Sequence, residues 1–228
     1  MRLALLLFAA VAAGCAPPAA PVVQMAAPAP DPFALVGSDD GLTEVEVRRL
    51  LGAAVEVRAG GRFAVLQVPG PSAPYASWPA GDEADVRARE ATVETLRRRL
   101  RDGGAAEVEV LPALLVPAEA SVPALREMAV RLQVDALLVF RTSGDLYERF
   151  RLFQSDEYKA YATCEALLLD VRTGAIPFTT VVTTDVQTER GDGDFTEADA
   201  ARRAVEEATL QAVDTVGARV MVFLRRTE

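Results

Sequence analysis

The chain has 228 residues, half of them hydrophobic, and its 24 basic side chains face 33 acidic ones for a formal net charge of −9. That balance excludes a phosphate-backbone partner such as nucleic acid, which needs a basic face, and a polybasic helix lying on a membrane surface. There is no histidine, so the commonest general base, metal ligand and proton switch are missing.

The first residues read as a leader. Met1 and Arg2 form a short positive start, Leu3 to Val11 is apolar, and small residues lead to Cys15. The apolar run is shorter than the roughly 20 residues a membrane-spanning helix needs, and it fits a cleaved signal. Ala12-Ala13-Gly14-Cys15 resembles a lipobox, with Ala12 where leucine is usual. The alternative is a plain secretory signal with Cys15 incidental. Lipidation of Cys15 would leave Cys164 without an intrachain partner, so no disulfide framework is expected. Ala16 is not aspartate, which by resemblance to Gram-negative lipoproteins favours the outer membrane, periplasmic face. Residues 16–36 hold Pro17, Pro18, Pro21, Pro28, Pro30 and Pro32. Proline fixes φ and removes amide donors, so this is an extended tether that could reach about 60 Å. The expected division is 1–14 signal peptide, 15–36 lipidated cysteine and tether, 37–228 α/β domain.

The domain begins with a helix from Thr43 to Leu51, where Thr43 and Glu46 have capping-box spacing. Gly60-Gly61 breaks the chain. Arg62 to Val68 is a short apolar strand suited to the centre of a sheet. Residues 69–83 form a Pro-rich loop carrying Tyr75 and Trp78. Asp82 caps a helix to about Arg101, with Val86, Val93, Leu96 and Leu100 on one face, and Gly103-Gly104 ends it. Ala106 to Leu111 is a second strand. Ser121 caps a second helix to about Leu132, with Pro123 tolerated in its first turn. Val134 to Arg141 is a third strand. This β-α-β-α-β run predicts parallel neighbours with right-handed crossovers, in the order 2-1-3, with the two helices on opposite faces.

The pattern then changes. Residues 142–157 form a polar and aromatic connector. Tyr158 to Val171 is a fourth strand, Asp170 to Gly174 a hairpin turn with Gly174 at positive φ, and Ala175 to Thr184 a fifth strand, with Pro177 demoting its start to an edge. A GDGD loop covers 191–194. Thr196 opens a long helix to about Leu224, whose stripe of Ala201, Val205, Ala208, Ala212, Val216 and Val220 lets it lie close on a sheet. The fold class is α/β: a single three-layer domain, a mixed sheet of about five strands and a long C-terminal helix.

The segments Val134–Val139 and Ala162–Leu169, with Asp170, Arg172, Thr173 and Gly174, resemble the core of envelope lipoproteins related to the curli secretion protein, the penicillin-binding-protein activator lipoproteins and the TolB amino-terminal fold. The resemblance covers about residues 60–225 in element order. It implies an accessory or secretion role in the envelope, without catalysis. A pore of the curli kind needs membrane hairpins of about 9–11 residues per strand. Residues 142–157 read as too short and too charged for that, so an accessory role is the more natural expectation.

Two stretches are candidate sites. Tyr147, Arg149, Phe150, Arg151 and Phe153 bring together aromatics and arginine, the composition of protein-binding hot spots; the alternative is that the aromatics close the sheet end. Tyr75 and Trp78 leave the first strand at its carboxyl end, the switch point where ligands sit in such sheets; the alternative is a loop pinned by its own aromatics. Cys164, mid-strand and with no histidine to activate it, reads as a small buried hydrophobe. Asp192 and Asp194 lack the spacing of a calcium loop, and no phosphate-loop or dinucleotide pattern occurs. No catalytic residue, metal or cofactor is expected. The expected function is a lipid-anchored accessory protein that binds another envelope protein or itself; the alternative is a module binding a small molecule or glycan through the loop after the first strand.

Overall fold

Four helices and five strands alternate as α1 (Glu44–Leu51), β1 (Arg62–Gln67), α2 (Glu83–Asp102), β2 (Glu107–Val110), α3 (Val122–Arg131), β3 (Ala136–Arg149), β4 (Glu157–Asp170), β5 (Phe178–Glu189) and α4 (Glu197–Arg226) in a computed structural model. The structure describes residues 42–68, 83–112, 115, 121–149, 157–189 and 196–226, with the backbone alone at 84, 85, 147–149, 157 and 158. All of these belong to one compact unit.

Local signals start and stop the helices. The Thr43 hydroxyl accepts from the Glu46 amide while the Glu46 carboxylate accepts from the Thr43 amide at 2.9 Å, closing the capping box of α1. Ser121 caps α3 through the Ala124 amide, and Thr196 exchanges the same pair of bonds with Asp199 at the start of α4. Helix α2 ends where Gly104 takes φ +107° and the Ala105 amide reaches back to the Leu100 carbonyl at 3.0 Å, a left-handed cap that glycine adopts without strain. Asp82 and the GDGD residues Asp192 and Asp194 lie outside the described residues.

The sheet order is β2-β1-β3-β4-β5, with β2-β1-β3 parallel and β3-β4-β5 antiparallel. Side chains alternate across it. Phe63 and Val65 of β1, Ala136, Leu138 and Phe140 of β3, and Cys164, Ala166 and Leu168 of β4 pack with Leu96 and Leu100 of α2 and with Ala212, Val213, Val216 and Val220 of α4. The opposite positions Ala64, Leu66, Leu137, Val139 and Leu169 pack with Leu125, Met128 and Ala129 of α3. The two crossover helices therefore take opposite faces, as the 2-1-3 order requires. The second helical layer is α3, ten residues long. The layer of α2 and α4 covers the whole sheet, and that of α3 covers the parallel strands and the adjoining end of β4.

The turn between β4 and β5 is held by Asp170, 2 % exposed. Its carboxylate accepts from the Arg172 amide at 2.9 Å and the Thr173 hydroxyl at 2.7 Å, and the Gly174 amide, at φ +79°, donates to the Asp170 carbonyl. On the α3 side, Arg126 donates to the Val171 and Arg172 carbonyls.

Two expectations need correction. The connector is not one: residues 142–149 continue β3, Glu157 already belongs to β4, and the two strands pair without interruption from Ala136↔Asp170 to Arg149↔Glu157. Gly144 and Asp145 have weak strand preference of their own, and pairing with β4 under α4 overrides it. With 14 residues in each of β3 and β4, the hairpin is not short, and what departs from a membrane hairpin is its charge at Arg141, Asp145, Lys159 and Glu165. In α2, Val86 is 49 % exposed, and Thr92 and Thr95 are buried beside Leu96 and Leu100 instead. Pro177 directly precedes β5, an edge strand that starts at Phe178 instead of Ala175 and runs to Glu189 instead of Thr184.

Helix α4 lies close to the sheet because its facing side chains are small: Ala200, Ala201, Ala204, Ala208 and Ala212 are all buried. The sheet answers with Gly144, where an added Cβ would sit 2.7 Å from Cγ1 of Val205. Gly144→Ala should lower stability by about 1–2 kcal/mol, the cost of overpacking a stiff neighbour. Val205→Ala in the same chain should recover part of that loss, as urea unfolding of the single and double variants would show.

Candidate functional site

Past the carboxyl end of β1, where Gln67 pairs with Phe140, β3 runs on for residues 141–149 with β4 and β5 beside it. These three strand ends form an arm. One face is covered by α4: Ala160, Ala162 and Val186 pack on Ala200, Ala201, Ala204 and Ala208, with Leu146 and Val205 beside them. The other face lies beyond α3. Its cross-strand rows are Arg141, Glu165 and Val181, then Ser143, Thr163 and Thr183, then Asp145, Tyr161 and Asp185. Val181 is 61 % exposed and Tyr161 39 %. Ion pairs and hydroxyls tie the rows together: Arg141 with Glu165 at 2.8 Å, Lys159 with Asp185 at 3.0 Å, and Thr163 with Thr183 at 2.9 Å. The Lys159 ammonium also sits 5.0 Å over the Tyr161 ring, and the Asp185 carboxylate beside it raises its pKa.

The outer edge of the arm is β5. Its positions Thr179, Val181, Thr183, Asp185, Gln187 and Glu189 are exposed. Two α4 arginines reach its backbone. Arg219 donates to the Thr180 hydroxyl at 3.0 Å and the Val181 carbonyl at 3.1 Å; Arg203 donates to the Thr188 hydroxyl and the Glu189 carbonyl, both at 3.0 Å.

A cleft of about 500 Å³ opens on the helix-covered face, between the first halves of α2 and α4. Those helices run in the same direction. Behind the cleft they touch: Arg99 donates from Nε and Nη2 to the two carboxylate oxygens of Asp214, each at 2.5 Å, and an added Cβ on Gly217 would lie 2.9 Å from Cβ of Arg99. Ahead of that clamp they part, and Gln67, Thr142 and Gly144 become the cleft floor. The Thr92 hydroxyl lies 2.7 Å from the Arg89 carbonyl and 3.3 Å from Oε1 of Gln67, whose Nε2 is 3.5 Å from the Thr142 hydroxyl. A second hollow of about 450 Å³ lies by the β4–β5 turn. Its charged groups hold backbone there, such as Asp135 accepting from the Arg62 amide at 2.8 Å.

The residues singled out in the sequence meet this geometry unevenly. Tyr147 and Arg149 lie near the tip of β3, paired in register with Lys159 and Glu157. Phe150, Arg151, Phe153, Tyr75, Trp78 and Cys15 lie outside the described residues. Cys164 is buried in β4, and burial pushes its thiol up to about 12, with Glu165 adding to the effect. The cleft was not foreseen. Arg87 and Arg89 read as solvated positions on α2, and nothing local in the sequence brings Arg202 of α4 opposite them.

No protein-family model matches the chain, and no curated protein matches it. Solved structures do. The PelC dodecamer from Paraburkholderia phytofirmans is 17 % identical, with 71 % of this chain and 90 % of that chain covered at a TM-score of 0.35. A minor lipoprotein from Acinetobacter baumannii is 9 % identical, with 71 % and 89 % covered at 0.33. The LpoB C-terminal domain from Salmonella enterica is 17 % identical, with 61 % and 91 % covered at 0.33. Bacterial lipoproteins thus stand among the structures this chain is similar to. Likeness at this level carries no residue role and no partner across to it.

The Arg99 hydrogen bonds hold the Asp214 carboxyl below its usual range. A depressed carboxylate stabilises the fold above its unfolded pKa of about 4, and that contribution is lost as pH falls through the folded value. The two side chains are 44 % and 37 % exposed, so solvent screening keeps the effect under about 1 kcal/mol. Asp214→Asn should therefore be slightly less stable than the parent at pH 7 and equal to it near pH 2, read as urea midpoints across pH. In the folded protein Cys164 should resist Ellman's reagent at pH 8, reacting only at the rate at which β4 is exposed.

Proposed function

We propose that the chain is a lipid-anchored envelope protein whose work is contact and not catalysis: its α/β head binds another envelope protein, or a second copy of itself, through the arm. What supports this reading is the arm itself. Three strands extend nine residues past β1, about 30 Å, with one face free of helix cover among the described residues and an exposed edge. The sequence joining β3 to β4, residues 150–156, includes Phe150, Arg151 and Phe153. Aromatics and arginine anchor protein interfaces, and a sheet edge offers backbone pairing to an incoming strand.

In this reading Cys15 supplies the attachment, the Pro-rich tether holds the head away from the bilayer, and the outer membrane facing the periplasm is the location. Among the described residues no helix is long and apolar enough to cross a membrane. The absence of histidine and the buried, unactivated Cys164 thiol argue for binding over chemistry.

The test is crosslinking and capture from intact envelopes. Replacing residues 150–156 by a Gly/Ser linker leaves the strands whole and should abolish the captured partner or, for self-association, reduce the native mass to that of one chain. Cys15→Ser should move the protein from the membrane to the soluble fraction. An unchanged partner set and native mass after the loop replacement would overturn the arm as the contact surface.

A further inference from the structure

We propose that the cleft between α2 and α4 binds a small organic anion, a carboxylate, sulfonate or phosphate monoester carried on a largely apolar body. The cleft, at about 500 Å³, falls within the range of small-molecule sites, roughly 300–1,000 Å³. It stands over the carboxyl ends of β1 and β3, where the chain order of the parallel strands reverses and where ligands gather in open α/β sheets. This inference does not depend on the arm or on the tether.

Charge selects the ligand class. Among the described lining residues, Arg87, Arg89 and Arg202 stand against one acid, Glu206, in a chain whose net charge is −9. Such a local reversal concentrates anions where the rest of the surface repels them. Guanidinium groups present planar forks that match carboxylate and phosphate oxygens. Arg87 is paired with Glu83 one turn earlier, but both are largely exposed, and an exposed pair of this kind is weak enough for a ligand anion to displace. Between the arginines the walls are apolar, built from Ala88, Ala91, Val205 and Leu210. The floor supplies the Gln67 amide beside the Thr92 and Thr142 hydroxyls. A charged head at the rim with an apolar body below fits that arrangement, whereas a neutral or cationic body meets arginine with nothing to answer it.

The experiment is a fluorescence titration of the full chain with 8-anilinonaphthalene-1-sulfonate, an aromatic body bearing one sulfonate. Saturable binding at one site is expected, with displacement by octanoate and not by octan-1-ol at the same concentration. Arg87→Gln and Arg89→Gln should each weaken binding three- to tenfold, as loss of one partly exposed charge contact implies. Glu206→Gln should tighten it and keep the binding displaceable by octanoate, which separates a tighter site from the non-displaceable dye uptake of a loosened fold. Thermal melts of each variant by circular dichroism check that the fold is intact. Absence of saturable binding, equal affinity in all three variants, or equal displacement by octanol would each overturn the proposal.

Discussion

The constraint on which the rest of the molecule depends is the distance between α4 and the sheet. A 30-residue helix can cover three strands only if its facing side chains are small over most of its length. The run Ala200, Ala201, Ala204, Ala208 and Ala212 meets that condition, and Gly144 meets it from the sheet side. The Thr184 hydroxyl, which donates to the Ala208 carbonyl at 2.6 Å, spans the same narrow gap. Close approach buries little area per residue, so each contact is individually weak, but it extends past the end of the parallel strands. The larger residues Val213, Val216, Val220 and Leu224 come later in α4, in the core that it shares with α2 and the sheet.

The arm and the cleft follow from that one placement. Where α4 overhangs the parallel strands it supplies, among the described residues, the only helical backing for the ends of β3, β4 and β5. Where α4 and α2 part ahead of the Arg99–Asp214 clamp, the same helix forms one wall of the cleft. Helix α3 is too short to do the equivalent on the other side, which is why the sheet shows a polar face there, knitted by Arg141–Glu165 and Lys159–Asp185. Exposed ion pairs of that kind contribute little stability each, so the arm relies chiefly on its alanine-lined side.

Much of the fold was legible in the residues. The Thr43–Glu46 box, Ser121, and the Gly103-Gly104 stop mark helix ends through bonds local to the backbone, and the apolar runs at 62–68 and 134–141 announce buried strands. Asp170 and Gly174 announce their turn for the same local reason. The extension of β3 through Thr142-Ser143-Gly144-Asp145 was not legible, because what holds those residues extended is a partner strand about twenty residues away and a helix about sixty away. Helix α2 shows the same limit: Thr92 and Thr95 are buried in place of Val86 because the helix is rotated toward Gln67, and periodicity cannot weigh a hydroxyl with a partner against a valine without one. The cleft had no local signature at all, since Arg202 and Arg87 are brought together only by the parting of two helices. Gln133, at φ +56° after α3, stands where glycine is the usual choice, so composition hid that cap too.

The grip of Arg219 and Arg203 on the two ends of β5 has one more consequence. A twelve-residue border with its amides and carbonyls on offer is the template from which fibrils grow. Here each extremity is already occupied by a guanidinium from the helix beneath, leaving about five residues, from Thr183 to Gln187, for an arriving chain. That window is the length of one short strand. A border so shortened is a poor template for an unbounded stack.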